Sequence, residues 1–481
     1  MSLCFISNKH LTITYSDIAR RLRAMGEDIV WLSPSTRWTN WLVKEGWDRD
    51  AILNMPDFED EWQALDESEA RKILAPYEWG STLTAAHVIR MCRGLQRRSL
   101  KLAYGYLATS ARKVEAFLAQ HNVEAVFGET TWGFEIVTWL ASRRIGVPHL
   151  HPCFTRVPRG RFFMADALSC DLVRIAEATE EHFATARTLF EGWTRDPTPP
   201  GYMAGITGYQ SFYRHWIEEF QQALSGGDKG DETLWTLAER ISDRIRRPLR
   251  AIGYKHFVKD TRPQAPERYV LLCLQQQPES SVDVWGGFQS DQLALIKRVV
   301  RMLPATHTLW VREHKTGIGD RPLSFYREIS ALPGVRLVEP HCDIYPLIRN
   351  ADLVVSITGT VTYEAALLGT PAAALGQMFF APVLSVKSGR REDPLNWPWE
   401  DLLAPDARAR IVASVEQRVA FLADLLANSF EGNAERLLAA DADRSAPDYV
   451  AAEARGFLHF VQHMRSANRL KRSPNLVALE T

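Results

Sequence analysis

The chain of 481 residues carries 57 Lys and Arg against 58 Asp and Glu, and 46% of its residues are hydrophobic. This length predicts two or three domains, each large enough to bury its own core. The net charge of −1 excludes a global positive field for binding nucleic acid, and the apolar content excludes a disordered chain. We therefore expect no nucleic-acid partner, and any site for a polyanion has to be local.

The six cysteines are scattered and form no CxxC pair, so neither a zinc cage nor a disulfide framework is indicated. The N-terminal run from Met1 to Lys9 is too short in its apolar part for a secretory signal. Both observations are typical of a protein in a reducing compartment. We expect a cytoplasmic location.

Short apolar strands alternate with amphipathic helices in residues 1–173. Strands are predicted at 3–7, 29–32, 123–127 and 147–150, and helices at 15–25, 82–121 and 134–144. This alternation predicts a parallel sheet covered by helices, which forms an N-terminal Rossmann-like domain.

The remaining sequence divides into three parts. Residues 174–266 are rich in aromatic and charged helical patterns and predict a helical connector. Residues 267–405 hold a second strand and helix series, with strands at 269–274, 308–311, 335–338, 353–356 and 372–375, and predict a second doubly wound domain. Residues 406–481 predict C-terminal helices and a basic tail, with one helix returning to the first domain.

Two doubly wound domains that face each other place the carboxyl ends of both sheets at one cleft, so ligands should bind at the loops after the strands. The strongest motif follows the strand at 353–356, where a helix is predicted to begin. Its small polar residues are Ser356, Thr358, Gly359 and Thr360, which suit a phosphate at a helix start. Glu364 suits a ribose. An ordinary capped helix, with Thr360 as the cap and Glu364 as its partner, explains the same pattern.

Two further strand ends carry polar side chains. The loop from Gln275 to Ser281 follows the first strand of the second domain and offers Gln277, Glu279 and Ser280 to a nucleotide, although a solvated loop fits as well. His314 and Lys315 follow the strand at 308–311, and Lys315 would supply charge to a donor phosphate. A lone histidine in this place is more often structural.

Several motifs of the second half carry a family resemblance. They are Gln275–Glu279, Trp285–Phe288, Asp291 and Gln292, Glu313 and His314, Leu332–Val335, Ser356–Thr360, and Glu364 and Ala365. Over about 269–376 the chain resembles the capsule polysaccharide biosynthesis family, which includes Kdo transferases that extend a glycolipid primer from CMP-Kdo. The motif order is also similar to that of bacterial GT-B sialyltransferases, which have a His-Pro pair at this place. In this chain Lys315 follows His314 in place of the proline.

This resemblance implies an α/β GT-B fold, in which two Rossmann-like domains face a central cleft, and a glycosyltransferase activity. It also implies that the domain at 1–173 binds the acceptor and the domain at 267–405 binds the nucleotide sugar. The implied donor is CMP-Kdo, with a UDP-sugar as the second candidate, and the acceptor is a saccharide or glycolipid. No metal or other cofactor is expected, because GT-B enzymes neutralise the leaving phosphate with helix dipoles and basic side chains. A non-hydrolysing UDP-sugar 2-epimerase and a non-catalytic assembly partner are the alternatives from other classes.

Candidate catalytic groups lie in the first domain. Glu129 follows the strand at 123–127 and would act as a general base or a nucleophile, although an acid at a helix start explains its position equally well. His10, in the loop after the first strand, is a second base candidate. His149 and His151 are also near a strand end, and one of the two is expected to point into the fold.

Three arginines occur within seven residues, at Arg156, Arg159 and Arg161. Guanidinium groups pair with carboxylates through two hydrogen bonds, so this loop would bind an acidic sugar or an acceptor phosphate. A solvated basic loop is the alternative. The basic runs at 90–101 and 240–250 and the tail after Arg465 predict solvated faces or, alternatively, peripheral contact with an anionic inner membrane or an assembly complex.

Overall fold

The computed structural model describes residues 1–199, 237–258, 267–277, 279–386, 393–432 and 447–472. The predicted helical connector falls partly outside these ranges, at 200–236 and 259–266. The strands are β1 (Ser2–Ile6), β2 (Asp28–Ser33), β3 (Ile52–Asn54), β4 (Val123–Phe127), β5 (His149–Phe154), β6 (Arg161–Asp166), β7 (Arg268–Cys273), β8 (His307–Arg312), β9 (Val335–Val338), β10 (Leu353–Ser356), β11 (Ala372–Ala374) and β12 (Ser429–Glu431).

The helices of the first half are α1 (Leu11–Ala24), α2 (Thr36–Lys44), α3 (Glu59–Ala64), α4 (Glu67–Glu78), α5 (Ala85–Met91), α6 (Leu100–Gln120), α7 (Gly133–Arg144) and α8 (Glu180–Arg195). Those of the second half are α9 (Leu237–Tyr254), α10 (Ser280–Asp283), α11 (Gln292–Met302), α12 (Leu323–Ser330), α13 (Ile344–Asn350), α14 (Thr360–Leu367), α15 (Trp399–Leu402), α16 (Ala407–Ile411), α17 (Val415–Ala427) and α18 (Pro447–Arg472). No helix in the described ranges is long and apolar enough to cross a membrane.

Among the described residues, the strands form two sheets. The first has the order β12-β6-β5-β4-β1-β2-β3 and the second has the order β11-β10-β7-β8-β9. All pairings are parallel except those of β6 with β5 and with β12. Each sheet contains the doubly wound order 3-2-1-4-5, whose direction reverses between β1 and β4 and between β7 and β10. These two points are where ligands bind in open α/β sheets.

The central strands are covered on both faces, which explains their continuous apolar sequences. Val270, Leu271 and Leu272 in β7 are each at most 1% exposed. The last helix, α18, packs on the first sheet, where the ring of Phe457 lies 5.0 Å from that of Phe127. The end of the chain therefore completes the core of the first domain.

Three predicted elements differ in the structure. The helix predicted at 82–121 is two helices, because Cys92 has extended backbone and the Ser99 hydroxyl accepts from the Leu102 amide to start α6. The strand predicted at 147–150 begins at His149 and continues to Phe154. The short strand β12 lies within the predicted C-terminal helices, and its register is fixed by pairing with β6.

The basic segments proposed as membrane contacts are partly used inside the protein. Arg465 forms ion pairs with Glu27 and Glu124 of the first domain. Arg247 lies 2.8 Å from a carboxylate oxygen of Asp320. These two arginines tie α18 and α9 to the domains on which they lie, so neither is available to a lipid surface.

Candidate active site between the two sheets

A cavity of about 430 Å³ lies where the carboxyl ends of both sheets meet. The predicted site residues that line it are Glu129, Glu279, Ser280, His314, Lys315, Ser356, Thr358, Gly359, Thr360 and Glu364. The other predicted site residues, His10, Gln277, Arg156, Arg159 and Arg161, are not among the lining residues. Strand-end loops from both domains therefore form one site, which is the arrangement expected of facing doubly wound sheets.

The loop after β10 is held by a side chain from the loop after β7. The Thr358 amide donates to Gln275 Oε1 at 2.8 Å, and Gln275 Nε2 donates to Thr358 Oγ1 at 2.9 Å. The Thr358 hydroxyl in turn donates to the carbonyl of Ser281 at 2.8 Å. Thr358 and Gln275 thus fix three segments of the cavity wall relative to one another.

Helix α14 begins at this loop and points its first turn at the cavity. Gly359 is its N-cap and supplies no side-chain hydrogen bond, so Glu364 is not part of a capping box here. A Cβ on Gly359 would lie 2.6 Å from Ser356 Oγ, which itself donates to the Cys273 carbonyl at 3.1 Å. The helix start therefore offers backbone N–H groups and the positive end of the helix dipole to an anion.

Gln277 has a structural place in the same region. Its Nε2 donates to Asp283 Oδ1 at 2.8 Å and to the Ser290 carbonyl at 3.1 Å. Its Oε1 accepts from Gln292 Nε2 at 3.1 Å. The predicted nucleotide contact of Gln277 is therefore replaced by bonds that close the loop, because its side chain is turned toward α10 and α11.

His314 at the end of β8 is held by Thr316, whose Oγ1 lies 2.7 Å from His314 Nδ1 and donates to Gln276 Oε1 at 2.7 Å. Burial lowers the pKa of His314 to about 4, and the charges of Arg312, Arg321 and Lys315 act in the same direction. His314 is therefore a neutral hydrogen-bonding group at neutral pH. Positive charge on this side of the cavity comes from its neighbours.

Glu129 joins the two domains. Its Oε1 accepts a hydrogen bond of 2.8 Å from the hydroxyl of Ser280 in the second domain. The helix-start role that the sequence left open for Glu129 belongs to Glu135, whose Oε2 accepts from the amides of Thr131 and Trp132 at 2.5 and 3.0 Å. Glu129 is thus left as a carboxylate on the cavity wall.

Glu279 brings a second carboxyl group to this wall. The residue is exposed at the open cleft. Desolvation by the surrounding protein and the negative charges of Glu129 and Asp283 raise the pKa of Glu279 to about 7, although a hydrogen bond with Ser281 and the charge of Arg93 favour ionisation. Near neutral pH the pair can therefore hold one negative charge or two.

The three arginines of the β5–β6 turn do not converge on the cleft as predicted. Arg156 is buried and ion-paired with Glu364, with Nη2 and Oε1 2.8 Å apart. Arg161 donates to Ser429 Oγ at 2.9 Å and so holds strand β12, while Arg159 is exposed at the tip. The six residues between the antiparallel strands β5 and β6 form the turn, and the three arginines have different surroundings there.

His10 is also displaced from the predicted site. His10 lies at the start of α1, and its ring is 5.8 Å from the ring of Trp38 in α2. Of the two histidines in β5, His149 is buried and His151 lines the cavity. Burial lowers the pKa of His151, while the charge of Glu129 raises it. His151 is therefore the histidine of the first domain that meets the cavity near Glu129.

Several lining residues were not chosen as site residues from the sequence. They are Tyr15, Arg312, Trp285 and Tyr345. Trp285 Nε1 lies 3.3 Å from both Thr130 Oγ1 and the Ala167 carbonyl, a contact between the domains. Tyr345 follows β9, so the strand-end rule that found His314 would also have found it. Within the described ranges, no three His, Cys, Asp or Glu side chains are grouped to hold a metal ion.

The two doubly wound sheets, with the cavity between their carboxyl ends, define the GT-B fold that the sequence predicted. Residues 231–383 match the sequence model of a family described as capsule polysaccharide biosynthesis protein. This match confirms the resemblance for about a third of the chain and includes each loop of the second domain discussed above. The comparison with curated protein sequences gives no match.

Similar solved structures come from two groups of enzymes. The beta Kdo 2,7 transferase KpsC of Thermosulfurimonas dismutans is 14% identical with a TM-score of 0.32, and the match covers 67% of this chain and 82% of that one. The UDP-GlcNAc 2-epimerase of Methanocaldococcus jannaschii is 13% identical with a TM-score of 0.27, covering 89% and 99%. Similarity at this level does not assign an activity to this chain.

Proposed function

We propose that this protein is a nucleotide-sugar-dependent glycosyltransferase of surface polysaccharide synthesis. The observation that supports this most is the composition of the cavity wall. The second domain contributes a helix start suited to phosphate, and the first domain contributes a carboxylate, Glu129, at the facing strand end. A donor in the second domain and an acceptor entering from the first would meet between them. The family match to the second domain agrees with this division.

Each group has a defined part in such a transfer. The start of α14 and Lys315 would stabilise the phosphate that leaves with the nucleotide, as its negative charge develops. Neutral His314 would contribute a hydrogen bond without adding charge. Glu129 would either take the proton of the acceptor hydroxyl or attack the anomeric carbon. Both routes use the same carboxylate, and they differ in the anomeric configuration of the product.

CMP-Kdo is the donor we favour, and a UDP-sugar is the second candidate. The arginine turn no longer supports an acidic sugar, because Arg156 and Arg161 are bound within the protein. The choice of CMP-Kdo therefore depends on the sequence resemblance to the capsule polysaccharide biosynthesis family, which includes Kdo transferases. The acceptor we propose is a saccharide or a glycolipid.

The test begins with a thermal-shift screen of CMP, UDP, GDP and ADP, followed by assays of nucleotide release with CMP-Kdo and with UDP-sugars. A transferase releases nucleotide only when a saccharide or glycolipid acceptor is present. Interconversion of a UDP-sugar without acceptor would indicate an epimerase instead. No stabilisation by any nucleotide would support the non-catalytic assembly partner. The assay with added EDTA is expected to run at the same rate.

A further inference from the structure

Helix α9 exposes three large apolar side chains to solvent. Ile245, Leu249 and Ile252 are 61%, 63% and 63% exposed. They are four and three residues apart, which places them on one face of the helix, and together they form an apolar stripe. A helix normally turns such a stripe toward a protein core, and an exposed apolar surface marks a site of contact with a protein or a membrane.

The opposite face of α9 holds the helix on the second domain. Tyr254 is buried, and its ring lies 4.7 Å from that of Tyr326 in α12. Arg247 forms an ion pair with Asp320 and donates to the Thr316 carbonyl at 2.8 Å. The packing face of the helix is therefore already used, and the apolar stripe points away from the domain.

Basic side chains border the apolar stripe on both sides. Since successive residues of a helix are about 100° apart, Arg246 lies on one side of the stripe and Lys255 on the other. Both residues are exposed. From residue 244 to residue 258 the sequence holds five Lys and Arg and no Asp or Glu. An apolar stripe bordered by cations is typical of a helix that lies on the surface of an anionic membrane.

A lipid bilayer fits both parts of this surface. The apolar side chains of an interfacial helix are buried at the boundary between headgroups and acyl chains, while the long stems of Arg and Lys let their charges reach the headgroups. A second copy of this chain fits less well, because a twofold contact through the stripe would bring the same cations of two helices together. Charge complementarity therefore favours an anionic bilayer.

We infer that the apolar stripe of α9 docks the protein on an anionic lipid bilayer, while Arg246 and Lys255 pair with the lipid phosphates. This surface is separate from the candidate active site, so the inference goes beyond the proposed function. Arg247 connects the two, because Thr316, to which it donates, lines the cavity. Docking through α9 would thus keep the cavity close to the membrane surface.

Co-sedimentation of the full-length protein with lipid vesicles tests this docking surface. Vesicles of equal parts phosphatidylglycerol and phosphatidylcholine should bind the wild type, and vesicles of phosphatidylcholine alone should not. Raising the salt from about 0.1 M to about 1 M should weaken binding, because it shortens the range of charge interactions from about 10 Å to about 3 Å. The assay contains no nucleotide or sugar, so its result is independent of the proposed transferase activity.

Two variants test the two parts of the surface. Leu249→Glu should lower the partition coefficient for the mixed vesicles by about tenfold or more, because the burial of a large apolar side chain is lost. Arg246→Gln should lower it by about fivefold, the contribution of one cation near an anionic surface. Neither variant should have a lower melting temperature, since both side chains are exposed.

Each variant has a matched control. Phe183→Glu is the control for Leu249→Glu, because Phe183 is 43% exposed on α8. Helices α8 and α9 contribute to different hydrophobic cores, on opposite faces of the second sheet. Arg90→Gln is the control for Arg246→Gln, since Arg90 is exposed in the basic run of the first domain. Both control variants should bind the mixed vesicles as the wild type does.

Four outcomes would overturn the inference and leave the proposed function in place. They are absence of wild-type binding to the mixed vesicles, equal binding to phosphatidylcholine alone, wild-type binding by Leu249→Glu, and an equal loss of binding in Phe183→Glu. Sedimentation velocity without vesicles adds a further test. A wild-type dimer that Leu249→Glu dissociates would assign the apolar stripe to a second copy of the chain and would also overturn the inference.

Discussion

Arg156 of the first domain donates two hydrogen bonds to a single oxygen of Glu364 in the second domain, at 2.8 and 3.2 Å. The arginine side chain is fully buried and that of the glutamate is 6% exposed. Arg156 also donates to the Thr198 carbonyl at 3.1 Å. A charged pair removed from water in this way joins the domains directly behind the ligand cavity, so its loss should affect both stability and binding.

Replacement of Arg156 by methionine should therefore be strongly destabilising. The carboxylate of Glu364 would stay buried without its counter-charge, a situation that costs about 3–5 kcal/mol of unfolding free energy. Urea unfolding of the two proteins measures the difference. The double variant Arg156→Met with Glu364→Gln should recover a large part of the loss, because it leaves no buried charge.

Arg159→Met is the matched control for this prediction, since Arg159 lies in the same turn and is exposed. Its free energy of unfolding should change by less than about 0.5 kcal/mol. If Arg156→Met were as mild as Arg159→Met, the pair would not be holding the domains together.

Glu279 predicts a pH dependence of nucleotide affinity. Its pKa of about 7 means that its carboxyl group is mainly neutral below this pH and negative above it. Ionisation places a second charge beside Glu129 and repels an anionic ligand, so affinity should fall as the pH rises through about 7. His314, whose pKa is about 4, is neutral throughout this window and adds no change.

Calorimetry from about pH 6 to about pH 8 measures this effect with the methyl ester of CMP or with UDP-glucose, whose phosphates do not titrate there. Glu279→Gln should remove most of the slope. The same pKa shift affects stability. Because folding raises the pKa of Glu279, the protonated group contributes to the free energy of unfolding below its unfolded pKa, and this contribution is lost as the pH rises through about 7. An unchanged slope in Glu279→Gln would assign the titration to another group.

The sequence predicted the two sheets because their strands are short apolar runs separated by helical patterns. It also predicted which loops meet at the cavity, since parallel strands bring their carboxyl ends to one edge. Glu129 and Glu364 were chosen near strand ends that this rule selects. The rule does not predict which side chains form ion pairs with one another, so the ion pair between Glu364 and Arg156 was found only in the structure.

The failures have a common physical cause. Arg161 and Gln277 were chosen by residue type and nearness to a strand end, but their side-chain directions depend on partners distant in the sequence or in the same loop. Strand β12 has three residues and no recognisable period, and it exists because β6 offers it an edge. Tertiary contacts therefore determine these side-chain directions and this strand, and the local sequence pattern does not predict them.

Thr358 should be important for nucleotide binding because its hydrogen bonds hold together segments of the cavity wall. Thr358→Val removes the hydroxyl that accepts from Gln275 Nε2 and donates to the Ser281 carbonyl, so each of these partners loses one of its hydrogen bonds. We expect nucleotide affinity to fall about tenfold, since loss of such bonds costs about 1–3 kcal/mol. Thermal-shift titration with CMP and UDP measures it.

Thr138→Val provides the comparison for Thr358→Val. The Thr138 hydroxyl is buried as well, and it donates to the Phe134 carbonyl within α7. This variant should bind nucleotide with unchanged affinity. Equal effects of the two substitutions would show that Thr358 acts on general stability and has no special place at the site.

Glu129 should act in the chemical step. Glutamine in its place can still accept the hydrogen bond from Ser280, so the contact between the domains at 2.8 Å should persist and donor affinity should change little. Turnover should fall by about 10²–10⁴, the range for loss of a general base, because the missing function is needed only in the transition state. Steady-state kinetics with donor and acceptor would show a lower kcat at nearly constant donor KM. Glu135→Gln is the contrasting variant. Because Glu135 caps α7, this substitution should lower the melting temperature more than it lowers the turnover. Near-normal turnover in Glu129→Gln would move the catalytic role to His151, the cavity-lining histidine of the first domain.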